Sequence, residues 1–342
     1  MYNKMAGIAI SLGLLAAAAA FSREGPQGAP QQEQGPQSQA GPSIQVQAQP
    51  AARHLWLRKV VAFLTVECQD GNQVVPVRGT AFFVSVEDKR LGDKRGFTYL
   101  VTNRHMTLPE KDGQPLSIRK ISLRLNLKAP IGGSHSEEVV LPLEGGMRWY
   151  FPTDASVDLA VMPLHLAEER YDYVSVPDYI FATTDTFEWY GIGEGQEVLF
   201  AGFFYQFPGQ KRIEPIIRQG VLAMVPDEEI TTTLHRPGRL YLADVHVFGG
   251  NSGAPLFAKG AFRGRDLGGG KFSTGSFPLL GVVSGYIYET QDLHLKVATT
   301  LTGRANANSG ISTIVPADEL KALLDSAELR RLRDEQVERE RK

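Results

Sequence analysis

The sequence predicts an all-β protein followed by a C-terminal helix, and three observations carry that prediction. From His54 onward, short apolar segments alternate with turn signals, as they do in proteins built of many short strands. Ile121, Leu123, Leu125 and Leu127 alternate with Ser122, Arg124 and Asn126, the two-residue period of a strand with one buried face. Beyond Pro316 the pattern becomes helical, with Asp318 and Glu319 in a first turn and Leu320, Leu323, Leu324 and Ala327 on one face.

In chain order, residues 1–22 read as a secretory signal: Lys4 precedes an apolar run over 5–21 that ends in small residues. Cleavage is expected within 18–22, because alanines drive stable membrane insertion weakly. The alternative is an uncleaved anchor, since the run is just short of a spanning helix and Arg23 and Glu24 follow it. Either way the chain is expected to be exported, to the periplasm or beyond, or tethered to the membrane by this segment. No cysteine follows the run, so no lipoprotein anchor is indicated. Residues 23–52, rich in Gln, Pro, Gly and Ala, carry too little apolar surface to offset ordering entropy and read as a disordered linker.

The folded domain is expected over 53–316. Strands are predicted at 60–66, at 79–86 and 96–102 as a hairpin across the charged loop 87–95, and at 121–127, 138–143 and 159–164, completing a first barrel. Residues 167–195 read as a crossover whose aromatic clusters, Tyr179 with Phe181 and Phe187 with Tyr190, contact both halves. Strands resume at 197–204, 216–225, 239–247, 254–257, 279–288 and 311–315. The loop 264–270 has three consecutive glycines but lacks the Lys-Ser/Thr pair and following helix of a phosphate cradle. Residues 317–342 form the expected helix, its first part packed on the second barrel and its alternating charges over 330–342 solvated and fraying.

Composition excludes several classes. A chain of 342 residues, 42% hydrophobic and 22% charged, is ordinary globular material. A net charge of −2 gives no electrostatic reason to expect nucleic acid or an anionic membrane surface as partner. The seven histidines show no ligand-like clustering, and no metal site is expected. Cys68 is the only cysteine, so no internal disulfide can form, and it reads as a small buried filler.

The stretch that carries chemistry is Gly249-Gly250-Asn251-Ser252-Gly253. A serine between glycines reads as a nucleophile on a tight turn, or as a plain surface Gly-Ser turn. Gly250 can adopt a backbone conformation barred to residues with a Cβ, so that its N–H and that of Ser252 point at one spot and stabilise an oxyanion. A serine hydroxyl needs a base, and the base needs an acid to orient it. His105, just past a predicted strand end, and Asp158, ahead of a buried strand, are the candidates. Taken singly, each could be a residue satisfied by backbone.

Three blocks in one order are more specific than any alone: Thr102-Asn103-Arg104-His105, Asp158-Leu159-Ala160-Val161 and Gly250-Asn251-Ser252-Gly253. With Ser309-Gly310-Ile311-Ser312 ahead of Pro316, they give residues 58–324 a pattern that resembles the bacterial trypsin-like serine peptidases, including the HtrA-type protease domain. The resemblance implies a chymotrypsin-like double six-stranded β-barrel with the site in the cleft between barrels. It implies a serine endopeptidase acting on protein or peptide through an acyl-enzyme, with no cofactor. His105 would be general base and acid, Asp158 would fix its tautomer, Ser252 would be the nucleophile, and the Gly250 and Ser252 N–H groups would form the oxyanion hole. Ser284 would support the buried aspartate and begin the strand that pairs with substrate. Asn251 stands where zymogen-activated relatives carry an aspartate, which implies activity independent of a freed N-terminus. His246 lies six residues before the nucleophile, where enzymes that cut after Arg or Lys carry an acid, and Tyr286 stands where open pockets have glycine. Together they imply a shallow pocket for small or medium apolar side chains, or one in which His246 polarises a partner. The resemblance stops short of a PDZ domain, for which too few residues follow Pro316. An α/β-hydrolase esterase is disfavoured, because Ala254 fills the place of the last glycine in Gly-x-Ser-x-Gly. A catalytically silent binding module of the same fold is the alternative function.

Overall fold

The computed structural model describes residues 56–92, 96–129, 135–143, 148–260, 277–296 and 300–341, with backbone alone over 291–306. The expected signal segment, the linker 23–52 and the loop 264–270 lie outside the described residues.

Two antiparallel six-stranded units follow one another. In the first, β1 (Val61–Asp70), β2 (Gln73–Glu87), β3 (Gly96–Thr102), β4 (Ser117–Asn126), β5 (Ser136–Leu141) and β6 (Ala160–Pro163) are ordered β5-β4-β1-β2-β3-β6, and a seventh short strand, Val176–Pro177, runs parallel to β2. The β1–β2 hairpin turns tightly at Gly71, which has φ +57° and joins Asp70 to its partner Gln73. In the second, β7 (Glu197–Gly202), β8 (Ile216–Met224), β9 (Tyr241–Asp244), β10 (Pro255–Ala258), β11 (Leu279–Lys296) and β12 (Thr300–Pro316) close a barrel in the order β7-β8-β9-β12-β11-β10. Closure removes sheet edges from the barrel body. Among the described residues the first unit is a sheet curled about its own core, without a ladder joining its two end strands.

Three cores explain the near-continuous apolar runs of the central strands. Leu64, Phe83, Leu100, Leu123, Leu125 and Met162 fill the first unit, and Val198, Phe200, Leu222, Ala243, Leu256 and Val283 fill the second. The opposite faces of β1–β3, with Phe82, Val84 and Val101, meet Leu199, Phe257 and Leu279 in a third core between the units. Strands buried on both faces lose their polar alternation. The crossover aromatics were expected to contact both halves, and only Phe181 does, in the core between units; Phe187 and Tyr190 join the second barrel alone, and Tyr179 and Trp189 stay exposed. Cys68 is buried in β1, where burial pushes its thiol pKa up.

Two elements differ from the sequence reading. β11 and β12 run on as a two-stranded arm, paired from Tyr288↔Asn308 to Lys296↔Thr300, whereas strands were expected to end at 288 and begin at 311. The arm is paired by its backbone through Leu293 and Leu295, which alternate with His294 and Lys296, and back through Gly303, Asn306 and Asn308, residues that read as a loop. The C-terminus is two helices, α1 (Ala317–Leu324) and α2 (Ala327–Glu340), with the Ser326 hydroxyl capping α2. The solvated, fraying end expected over 330–342 is corrected by α2: Leu329, Arg333 and Val337 form a buried stripe at four-residue spacing. The Arg333 guanidinium donates to the Tyr99 hydroxyl at 2.9 Å and to the Leu324 carbonyl at 2.8 Å. Its charged neighbours in sequence fall on the solvent side. Among the described residues no helix is long and apolar enough to cross a membrane.

Candidate active site

The acid and base come from neighbouring strand ends of the first unit. β3 and β6 pair antiparallel with Thr102 opposite Ala160, so the residues just beyond, Asn103 and Asp158, lie side by side. Asn103 is extended and the chain then enters a helical turn, Arg104–Thr107, which carries His105. The Asn103 side-chain amide donates to the Asp158 carbonyl at 2.9 Å, and the His105 backbone N–H donates to Asp158 Oδ1 at 3.0 Å. His105 Nδ1 lies 2.7 Å from Asp158 Oδ2, and the Ser284 hydroxyl donates to the same oxygen at 2.6 Å.

These contacts set the protonation states. The Asp158 side chain is 0% exposed and that of His105 34%. Burial pushes the Asp158 carboxyl up, but the His105 charge and the hydrogen bonds from His105 and Ser284 outweigh it and hold the group below the usual carboxylate range. Burial pushes His105 down, but the Asp158 charge and hydrogen bond override it and raise the imidazole above its ordinary value. An ionised carboxylate at Nδ1 requires the proton on that nitrogen, which leaves the Nε2 lone pair of the neutral ring available. Among the described residues Nε2 has no partner.

The serine loop is held by its backbone. Gly250 has φ +99° and Gly253 φ +85°. A Cβ at Gly253 would stand 2.1 Å from the Thr80 carbonyl oxygen, and one at Gly250 2.7 Å from the Phe203 ring. Only glycine fits either position. Thr80, in β2, clamps the loop: its N–H donates to the Ser252 carbonyl at 2.8 Å, and its hydroxyl donates to the Gly250 carbonyl at 2.8 Å while accepting from the Phe203 N–H at 2.9 Å. Asn251 is fully buried, its oxygen accepting from the Phe248 N–H at 2.8 Å and its amide donating to the Phe203 carbonyl at 2.7 Å. The side chain is therefore satisfied by the loop itself and by the residue that follows β7.

Ser252 and His105 line the same cleft, of about 890 Å³, with Met224, Ile230, Tyr286 and Ile287 on its walls. The Ser252 hydroxyl donates to the Ser284 carbonyl at 3.3 Å, and no hydrogen bond joins it to His105. The N–H groups of Gly250 and Ser252 have no acceptor among the described residues. β11 pairs with β10 only as far as Val282, and from Ser284 onward that edge is open among the described residues.

The structure thus brings His105, Asp158, Ser252, Gly250 and Ser284 to one place. His246 is not brought there: its exposed ring lies against Gly310, where a Cβ would come within 3.2 Å of Cε1, and it is not among the cleft-lining residues. Tyr286 does line the cleft and packs on Tyr288 with ring centroids 4.7 Å apart. Thr80 and Thr233 escaped the sequence reading, since a threonine in a strand or loop carries no signal of its partners. Among the described residues no cluster of three His, Cys, Asp or Glu side chains could hold a metal ion.

No family model and no curated protein matches the chain. Among solved structures, the chain is similar to "HtrA-type protease AlgW with tripeptide" at 16% identity and TM-score 0.44, covering 80% of this chain and 62% of that one. It is also similar to "Crystal structure of Deg5" at 15% identity and TM-score 0.42, covering 78% of this chain and 88% of that one. The chain thus spans less than two thirds of the AlgW chain it matches. By its two successive antiparallel units, the second closed and the first curled without a ladder between its end strands, and by its C-terminal helices, the protein has a chymotrypsin-like double-barrel fold.

Proposed function

We propose that the protein is a serine endopeptidase, with Ser252 as nucleophile, His105 as general base and acid, and Asp158 as the group that orients His105. The observation that carries this reading is the 2.7 Å contact between His105 Nδ1 and a fully buried carboxylate, in a cleft that also holds Ser252. A peptide laid along the open edge of β11 would add to it as a strand, with main-chain hydrogen bonds supplying affinity. Its scissile carbonyl would take the unused Gly250 and Ser252 donors, an interaction worth roughly 3–4 kcal/mol per donor where it has been measured. The Ser252 hydroxyl must then leave the Ser284 carbonyl by rotation about χ1 and donate to His105 Nε2. As Oγ attacks, its proton passes to Nε2 and the imidazolium is stabilised by Asp158. The same proton is given to the leaving amine, which departs from the acyl-enzyme. Water then repeats the sequence, giving its proton to His105 and regenerating Ser252.

The apolar walls of the cleft favour substrates with apolar side chains near the cut, and the exposed position of His246 speaks against an electrostatic pocket built on it. The apolar run over 5–21 supports our reading of this activity as exported. The position of the Ser252 hydroxyl, away from His105, favours a second reading, a silent binding module. Reaction with an active-site-directed fluorophosphonate separates the two. A peptidase acquires the label on Ser252, and His105→Ala loses it; a binding module is never labelled.

A further inference from the structure

We propose that Thr233 is a positioning residue for the catalytic acid, holding the Ser284 hydroxyl on Asp158 from the wall of the substrate cleft. The inference rests on the peptidase reading for its consequence, but not for its geometry. Thr233 sits at the tip of a small ribbon in which Ile230–Thr231 pairs with Pro237–Gly238. The tip is closed by the Thr232 N–H to the Arg236 carbonyl at 2.8 Å and the His235 N–H to the Thr232 carbonyl at 2.9 Å. Gly238 lets the ribbon lie close beside the strand end that carries Asp158, because a Cβ there would stand 2.7 Å from Ser156 Oγ and 2.8 Å from Thr232 Cγ2.

Thr233 Oγ1 lies 2.6 Å from Ser284 Oγ and 3.3 Å from Asp158 Oδ2. Each hydroxyl has one proton. The Ser284 proton is committed to Asp158 at 2.6 Å, so the Thr233 proton goes to the Ser284 oxygen, the shorter of its two contacts. The result is a directed chain, Thr233 to Ser284 to Asp158, ending on the carboxylate that holds His105. Hydrogen bonds in such a chain polarise one another. Without Thr233 the Ser284 hydroxyl still reaches Asp158, but its oxygen loses a donor and the bond to the carboxylate is weaker and less fixed.

Gly285 makes the approach possible. A Cβ at that position would stand 2.8 Å from Thr233 Cγ2, so a side chain there would push the threonine off Ser284. The same ribbon supplies Ile230 and His235 to the cleft wall. One element therefore shapes the substrate site and orders the acid, and a substrate that presses on the wall acts on Asp158 through two hydroxyls. The titratable side chains facing His105 are Asp158, which it contacts, and His235, Tyr286 and Tyr288, which share its cleft.

The test compares Thr233→Val, which keeps the shape and removes the hydroxyl, with Thr233→Ser, which keeps the hydroxyl. Thr233→Val is expected to lower kcat about 3- to 10-fold with KM little changed. It is also expected to move the NMR titration of the His105 imidazole to higher pH, because the Ser284 hydroxyl, no longer polarised by Thr233, donates less strongly to Asp158. Thr233→Ser is expected to restore both. A Thr233→Val protein that matches wild type in kcat and titration overturns the inference, as does a Thr233→Ser protein equally impaired. Thr233→Ala serves in the same comparison if the valine variant does not fold. Should wild type show no turnover and no fluorophosphonate labelling, the peptidase reading fails by itself, and the His105 titration alone still decides the role of Thr233.

Discussion

The two halves of the active site are built differently. The acid–base half is closed: His105 is bound to Asp158 through its ring and its backbone, and Asp158 is held further by Asn103 and Ser284. The nucleophile half is fixed in its backbone by Thr80 and Asn251, yet its hydroxyl rests on the Ser284 carbonyl and two of its N–H groups are unused. Order is complete where substrate does not reach, and donors are left unpaired where it must arrive. A cleft of this design holds its electrostatics in place before binding and leaves one side-chain rotation to the substrate.

Four experiments would break or sharpen that contrast. The largest effect is expected from Ser252→Ala, which should lower kcat by about 10⁶-fold in steady-state assays with an unchanged melting temperature, because the hydroxyl bears no structural load. Asp158→Asn should cost about 10⁴-fold in kcat, since the amide favours the wrong histidine tautomer. Gly253→Ala attacks the backbone that presents the serine. With φ at +85° and a carbonyl 2.1 Å from the new Cβ, it should lose roughly 3 kcal/mol in denaturant unfolding as well as activity. The smallest effect is on the N-terminal side: shortening the linker within 23–52 should leave turnover intact, because both ends of the Asn251 amide are already bonded, to Phe248 and Phe203.

The pH profile probes the closed half alone. His105 must be neutral to accept a proton and its pKa is raised, so kcat/KM should rise with pH along a limb set above the ordinary imidazole value of about 6.5. The stability sign is opposite for the two partners. The His105 contribution is fully present below its unfolded pKa and is lost as pH rises through the folded one. The Asp158 contribution is present above its unfolded pKa and is lost as pH falls through its lowered folded value. In Asp158→Asn the imidazole should titrate at lower pH than in wild type, because the charge that offsets its burial is gone, and a histidine NMR titration reads this directly.

Much of the site was legible because its chemistry is carried by residue types that few other roles require. Glycines on both sides of Ser252 and a histidine and aspartate at strand ends are visible as letters, and the strands around them show in their alternation. What was hidden depends on partners. Thr80 and Thr233 are ordinary threonines until the fold brings the serine loop and Ser284 beside them. His246 was placed by its spacing from Ser252, but its ring turns onto Gly310 and out of the cleft. One strand of the β11–β12 arm carried a periodic signal, Leu293 and Leu295 alternating with His294 and Lys296, but its return strand, with Gly303, Asn306 and Asn308, reads as a loop. Helix α2 failed for another reason: its charges dominate the composition, while the buried stripe consists of three residues, one of them an arginine.

The central claim is that Ser252, His105 and the Gly250 and Ser252 donors act on one carbonyl. A crystal structure of the adduct with a peptidyl boronate tests it most directly. The account predicts boron bonded to Ser252 Oγ, with one boronate oxygen within about 2.7–3.1 Å of both N–H groups and the Ser284 carbonyl released by the serine. An adduct on another residue, or a boronate oxygen turned away from Gly250, would contradict it.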